Sequence, residues 1–217
     1  MQRKFEVVKL LVDPGIIAII RTQKAAPAKP IAEALVAGGI TAMEFTMTTP
    51  NALEAIRQAR RAIGERATVG VGTVIDDQDC KSAIDAGAEF VVTPVCRPEL
   101  VAIAHGAGCP IMLGAYTPTE AQTAHEAGAD FVKIFPADNL GPAYIKALRA
   151  PLPHLRIVPT GGVDVYNVGH FLKAGCVAVG IGSSLLSAKI VENSDWPELT
   201  RRAAALVDAA RQARMTT

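Results

Sequence analysis

Along the chain, stretches with helical spacing repeatedly end in Ala-Gly and give way to short β-branched runs. The pairs are Ala37-Gly38, Ala86-Gly87, Ala107-Gly108, Ala127-Gly128 and Ala174-Gly175. Glycine there suits a helix C-terminus, where a left-handed residue ends the helix. The runs that follow predict strands over Ile40–Thr46, Glu89–Pro94, Pro110–Gly114, Asp130–Phe135 and Val177–Gly182. Two more, Thr68–Thr73 and Arg156–Thr160, follow helical segments over Leu53–Ile63 and Ala143–Leu148, and Gly15–Arg21 supplies one at the front. Such alternation means parallel strands joined by right-handed helical crossovers. Eight units in 217 residues fit a (β/α)8 or TIM barrel, at the small end of its range of ~200 to >400 residues. An open doubly wound sheet uses fewer strands and a glycine-rich turn after the first. Here Ile20 is followed by Arg21-Thr22-Gln23-Lys24. No Ser/Gly linker, low-complexity tract or charge block divides the chain, so residues 1–217 read as one domain. The segment before Asp13 (1–13) and the amphipathic stretch Trp196–Arg214 (within 195–215) read as terminal helices covering the barrel.

Composition narrows the picture. Hydrophobic residues make up 50% and aromatics only 5%, so the core is built from Ala, Val, Ile and Leu, as strands buried on both faces require. Lys and Arg total 22 against 21 Asp and Glu, which leaves no general field for nucleic acid or an anionic membrane, and any anion is caught locally. The cysteines at 80, 96, 109 and 176 show neither C-x-x-C nor paired His/Cys spacing, so they read as reduced packing residues and no metal is indicated. The charged opening leads into an apolar stretch cut short by Asp13, Pro14 and Gly15, a poor secretory signal, and the longest apolar run, Ile16 to Ile20, cannot span a bilayer. A cytoplasmic protein is the expectation. The four histidines lie away from the strand ends and read as surface or packing residues.

In a barrel the chemistry belongs at the C-terminal ends of the strands. Lys133, in Phe131-Val132-Lys133-Ile134-Phe135-Pro136, interrupts an apolar run and by parity shares a face with Phe131 and Phe135. If the outer face packs helices, Lys133 points into the barrel. Burial lowers a lysine pKa, and a neutral amine attacks carbonyls to form a Schiff base. Glu44, in Ala42-Met43-Glu44-Phe45-Thr46, interrupts strand two in the same way. A carboxylate among apolar residues is costly unless partnered. The residues alone leave two readings open: an amine nucleophile beside a general base, or a structural ion pair. Arg21 ends strand one and Thr73 ends strand three, and each reads either as a carboxylate ligand or as a rim residue. The glycines of Pro159-Thr160-Gly161-Gly162-Val163-Asp164 and Gly180-Ile181-Gly182-Ser183-Ser184 follow strands seven and eight, where barrels commonly bind phosphate through backbone N–H groups.

Taken together these residues resemble the class I 2-keto-3-deoxy-6-phosphogluconate and 2-keto-3-deoxy-6-phosphogalactonate aldolases. The likeness runs through Gly15–Arg21, Met43–Thr46, Val71-Gly72-Thr73-Val74, Val91–Pro94, Phe131–Ala137, Thr160-Gly161-Gly162-Val163 and Gly182-Ser183. The resemblance implies cleavage of a phosphorylated 2-keto-3-deoxy sugar acid to pyruvate and glyceraldehyde 3-phosphate, with no metal or other cofactor, by a homotrimer. It makes Lys133 the Schiff-base lysine and Glu44 the proton shuttle. Thr73 contacts the pyruvyl carboxylate, Pro94 and Phe135 shape the pocket, Gly161, Gly162, Gly182 and Ser183 hold the phosphate, and Thr160 lines the approach. One departure stands out. Gluconate-type members often carry an arginine four residues after the glutamate, where this chain has Thr48. Arg21 resembles the arginine of galactonate-type members, so the C4 epimer stays open and 4-hydroxy-2-oxoglutarate is an alternative substrate. Two rivals remain: a sugar-phosphate isomerase or decarboxylase barrel without a covalent lysine, and a barrel that only binds a sugar phosphate.

Overall fold

The computed structural model describes residues 2–216. Eight strands alternate with helices: β1 Ile16–Ile20, β2 Ala42–Thr46, β3 Thr68–Gly72, β4 Val91–Val92, β5 Ile111–Ala115, β6 Phe131–Ile134, β7 Ile157–Pro159 and β8 Val179–Ile181. The helices are α1 Gln2–Val12, α2 Ala28–Ala37, α3 Ala52–Ile63, α4 Asp77–Asp85, α5 Glu99–Gly106, α6 Pro118–Glu126, α7 Gly141–Arg149, α8 Val168–Lys173, α9 Ala188–Glu192 and α10 Trp196–Met215. All the pairings are parallel, in the order β7-β6-β5-β4-β3-β2-β1-β8. The barrel closes between β7 and β8 through the Val177 N–H bonded to Ile157 O at 3.0 Å and a Thr160–Gly180 bridge. The (β/α)8 expectation holds. Met1, included in the expected N-terminal helix, lies outside the described residues.

The core splits by strand parity. Met43, Phe45, Val69, Val71, Ile111, Leu113, Val132 and Ile134 pack outward against the helices. Ile17, Ala42, Phe90, Val92, Met112, Phe131, Val158 and Ala178 fill the interior, sealed from below by Val7 and Leu11 of α1. Higher up, the inward positions change character. Gly70, Gly72, Gly114 and Gly180 lie on the interior face of their strands, and a Cβ on Gly72 would collide with the Glu44 carboxyl, one on Gly114 with the Pro94 backbone, and one on Gly180 with Thr160 Oγ1. Bulk below and glycine above leave the upper interior open for two long polar side chains.

Two local expectations are corrected. At four of the Ala-Gly pairs the glycine is left-handed, Gly87, Gly108, Gly128 and Gly175 all having positive φ, but at Ala37-Gly38 that role passes to Gly39 (φ +85). Gly38 is needed for another reason: a Cβ there would run into Ala203 where α2 passes α10. The second correction concerns β4, expected over Glu89–Pro94 and observed only over Val91–Val92. The Thr93 hydroxyl accepts the Gly114 N–H (3.0 Å) and donates to Val95 O (2.6 Å), so a side chain takes over from the backbone ladder before Pro94, which has no N–H.

Candidate active site

Lys133 and Glu44 both point inward near the tops of β6 and β2, at 5% and 2% exposure. Lys133 Nζ stands 3.9 Å from Glu44 Oε1, too far for a hydrogen bond, and 5.1 Å from the centre of the Phe135 ring. Burial pulls the Lys133 pKa down, the neighbouring Glu44 carboxylate opposes it, and the Arg21 guanidinium adds to it. Burial pushes Glu44 up against the pull of Lys133 and then of Arg21. Desolvation leads in both residues, so the pair is driven toward neutral amine and neutral acid and away from a salt bridge. A neutral amine is nucleophilic, and a carboxyl with a raised pKa can both give and take a proton. The expected inward orientation of both residues is therefore observed, with the interior glycines making the space.

Arg21, exposed at the end of β1, donates from Nη2 to Thr73 Oγ1 at 3.1 Å. Thr73 adopts a left-handed backbone (φ 62), a conformation costly for a β-branched residue and one that turns it across to Arg21. The two candidate carboxylate ligands are thus brought together. The Thr48 turn is tied to the same corner: Thr46 Oγ1 lies 3.0 Å from Thr48 Oγ1 and 3.1 Å from Thr49 Oγ1. Thr49 Oγ1 donates to Ile20 O (3.3 Å) and accepts the Thr22 N–H (3.3 Å). These threonines fasten the end of β2 to the residues on both sides of Arg21. The Pro94 backbone lies against Gly114, the strand partner of Lys133, and the Phe135 ring follows Lys133 by two residues with its centre 5.1 Å from the amine.

Gly161 and Gly162 both take positive φ, +104 and +67, a loop geometry open to few residues but glycine. Ser184, the last residue of the glycine-serine motif after β8, clamps this loop to the next: its Oγ donates to Val163 O at 2.7 Å. Gly182 starts the turn after β8, accepting the N–H groups of Leu185 (3.0 Å) and Leu186 (2.9 Å), and Ser183 is exposed beside it. Thr160 is 7% exposed and bridges β7 to β8. The Asp138 carboxyl lies against Gly161, where a Cβ would meet it. Thr93, to which the sequence assigns no role, sets the Pro94 turn through its hydroxyl. Among the described residues no three His, Cys, Asp or Glu side chains converge as metal ligands.

Fold and site define a class: a (β/α)8 barrel with a buried amine–carboxyl pair in its upper interior and glycine loops at the ends of β7 and β8. Residues 7–202 match the aldolase family described as KDPG and KHG aldolase, and the chain belongs to it. It is 38% identical over 189 residues to the 2-dehydro-3-deoxy-phosphogluconate aldolase of Pseudomonas aeruginosa, covering 86% of this chain and 84% of that one. It is 36% identical to the 2-dehydro-3-deoxy-6-phosphogalactonate aldolase of Escherichia coli K12, over 91% of this chain and 95% of that one. A native KDPGal structure superposes with a TM-score of 0.84 at 34% identity over 92% and 96% of the two chains. So does a designed cage that fuses symmetric oligomeric domains, over 93% of this chain and 74% of that one. A Legionella pneumophila KDPG aldolase, with pyruvate captured at low pH as a covalent carbinolamine, matches at 27% identity, TM-score 0.83, over 95% and 98%.

Proposed function

We propose that this protein is a Schiff-base aldolase that cleaves a phosphorylated 2-keto-3-deoxy hexonate to pyruvate and glyceraldehyde 3-phosphate. The observation that carries the reading is the buried pair itself, an amine whose pKa burial lowers 3.9 Å from a carboxyl whose pKa burial raises. The Lys133 amine adds to the C2 keto carbon, Glu44 protonates the oxygen, and loss of water leaves an iminium. Glu44, now a carboxylate, takes the C4 hydroxyl proton, the C3–C4 bond breaks, and its electrons pass into the iminium to give an enamine as the aldehyde departs. Protonation at C3 and hydrolysis release pyruvate and restore the amine. The iminium is the electron sink, so the reaction as written needs no metal or other cofactor.

Arg21 and Thr73 take the substrate carboxylate, Pro94 and Phe135 wall the pyruvyl end, Thr160 lines the approach, and the N–H groups of Gly161, Gly162, Gly182 and Ser183 hold the phosphate. The Legionella relative's pyruvate carbinolamine supports the covalent route. A homotrimer is part of the proposal, supported by exposed Ile75, Val95 and Tyr116 in the adjacent loops after β3, β4 and β5 and by the relative used as a symmetric oligomeric domain. No helix among the described residues is long and apolar enough to cross a membrane. Four free thiols, three of them buried, suit a reducing cytoplasm, and the proposed release of pyruvate from a phosphorylated keto-deoxy sugar acid suits a place in sugar-acid breakdown of the Entner–Doudoroff type.

Sodium borohydride reduction of the protein with pyruvate, followed by intact mass and peptide mapping, tests this reading. The expected result is one pyruvyl adduct on Lys133, with neither adduct nor pyruvate release in a folded Lys133→Met protein. A folded wild-type protein that traps nothing sinks the covalent mechanism and transfers the weight to a non-covalent sugar-phosphate barrel. With the adduct in hand, turnover of the two C4 epimers and of 4-hydroxy-2-oxoglutarate assigns the substrate.

A further inference from the structure

At the opposite end of the barrel, below β6, lies a second pocket of about 260 Å³. Its charged and titratable walls come from five elements: Lys4 of α1, His105 of α5, His125 of α6, Asp130 at the start of β6, and His154 with Arg156 in the loop leading to β7. Asp130 is already committed. Its carboxylate takes Lys4 Nζ at 2.7 Å, His105 Nε2 at 2.9 Å and the Ile111 N–H at 2.9 Å. The Lys4–Asp130 pair cancels itself and leaves the other wall to set the charge of the pocket.

That wall is cationic and short of partners. Arg156 stacks its guanidinium on the Phe131 ring at 4.1 Å and gives one long hydrogen bond to Asp130 O at 3.4 Å. Among the described residues it makes no ion pair with a carboxylate, although it is half-buried and burial lowers its pKa against the pull of Asp130. Beside it the His125 and His154 rings lie 4.5 Å apart at an angle of 51°. His154 Nε2 is held by Gln122 Oε1 at 2.9 Å, and His125 has no hydrogen bond among the described residues. A planar guanidinium with unspent N–H groups, next to two imidazole rings of which one makes no hydrogen bond among the described residues, is a donor set that suits a tetrahedral oxyanion.

We infer that this pocket is a second anion site, for a phosphate group free or on a small phosphorylated metabolite, gripped by Arg156, His125 and His154. The site stands apart from Lys133 and does not depend on the proposed aldolase chemistry.

The test uses the ring proton resonances of His125 and His154, which line this pocket. Sulfate is the first ligand, because it keeps two charges over the whole pH range. The expected result is a saturable movement of the His125 and His154 signals as sulfate is added. Arg156→Gln abolishes it and leaves turnover of the keto acid unchanged. His154→Phe, which keeps a ring in the stack, weakens binding and stands in should Arg156→Gln fail to fold. Repeating the titration with inorganic phosphate and with glycerol 3-phosphate separates the free ion from the ester. Signals that do not saturate, or that move equally in Arg156→Gln, overturn the proposal.

Discussion

One strand carries two charges with opposite fates. Asp130 stands at the entry to β6 and Lys133 three residues later inside the barrel. Asp130 is met by an ammonium, an imidazole and a backbone N–H, all within 2.9 Å. Lys133 is more deeply buried, yet its nearest carboxylate oxygen is 3.9 Å away, past hydrogen-bonding range. The lower end, where α1 seals bulky side chains and every charge on Asp130 is answered, is built for stability. The upper end spends that stability on an unanswered amine, a left-handed threonine and a row of glycines, because an amine that is satisfied cannot attack a carbonyl.

The contrast breaks most severely at Glu44. Glu44→Gln keeps the side-chain volume but removes the group that exchanges protons with substrate, so kcat for keto acid cleavage is expected to fall by about 10²–10⁴-fold. The Glu44 carboxylate also raises the Lys133 pKa. Its loss moves the amine's titration to lower pH, and the residual activity of Glu44→Gln should gain its deprotonated-lysine limb earlier on the pH axis than the wild type. A kcat–pH profile reads both effects, and a fall of less than tenfold would show that Glu44 only accompanies the lysine.

How much of this was legible follows from the same contrast. Polar residues stranded in apolar runs are conspicuous, so Lys133 and Glu44 stood out, and period-two parity placed them inside because Val132 and Ile134 had to face the helices. The strand count was readable because five of the helices are followed by the glycine that a left-handed turn demands. What stayed hidden depended on neighbours distant in sequence. That Gly38 yields to Ala203, or that Gly72 and Gly114 clear space for Glu44 and the Pro94 turn, is decided by packing across more than one element. The Thr93 hydroxyl that cuts β4 short looks like any strand threonine until Gly114 is seen to donate to it. The lower pocket was invisible for the same reason: Lys4, His105 and Arg156 come together only in the closed barrel.

A smaller break is expected at Arg21. Its guanidinium shares the corner with Thr73 at 3.1 Å and sits at the exposed rim, where a substrate carboxylate can use the planar fork. Arg21→Gln removes a charged hydrogen bond of about 1.5–3 kcal/mol, so KM for the keto acid should rise by roughly 10–150-fold while kcat stays within a few-fold. A change confined to kcat would instead tie Arg21 to the protonation of Lys133, whose pKa it also depresses.

The gentlest test sets the two charges of β6 against each other in stability. Burial alone would raise the Asp130 pKa, but the hydrogen bonds from Lys4, the Ile111 N–H and His105 outweigh it and hold the carboxyl below its ordinary value. A carboxyl depressed in the folded state contributes stability that is present above its unfolded pKa near 3.9 and is lost as pH falls through the lower, folded value. Asp130→Asn should therefore cost about 1–3 kcal/mol at neutral pH, a Tm drop of roughly 2–10 °C, and the deficit relative to wild type should shrink below about pH 4. Lys133 carries the opposite sign. Its folded pKa lies below the unfolded value near 10.4, so holding it buried subtracts stability at every pH below that value. Lys133→Met removes the cost, and its Tm should equal or exceed that of the wild type at neutral pH. Thermal unfolding of the two variants side by side measures the asymmetry directly: a Lys133→Met protein that melts well below the wild type would mean that the 3.9 Å pair is a stabilising salt bridge after all, and that the amine is not held in its reactive form.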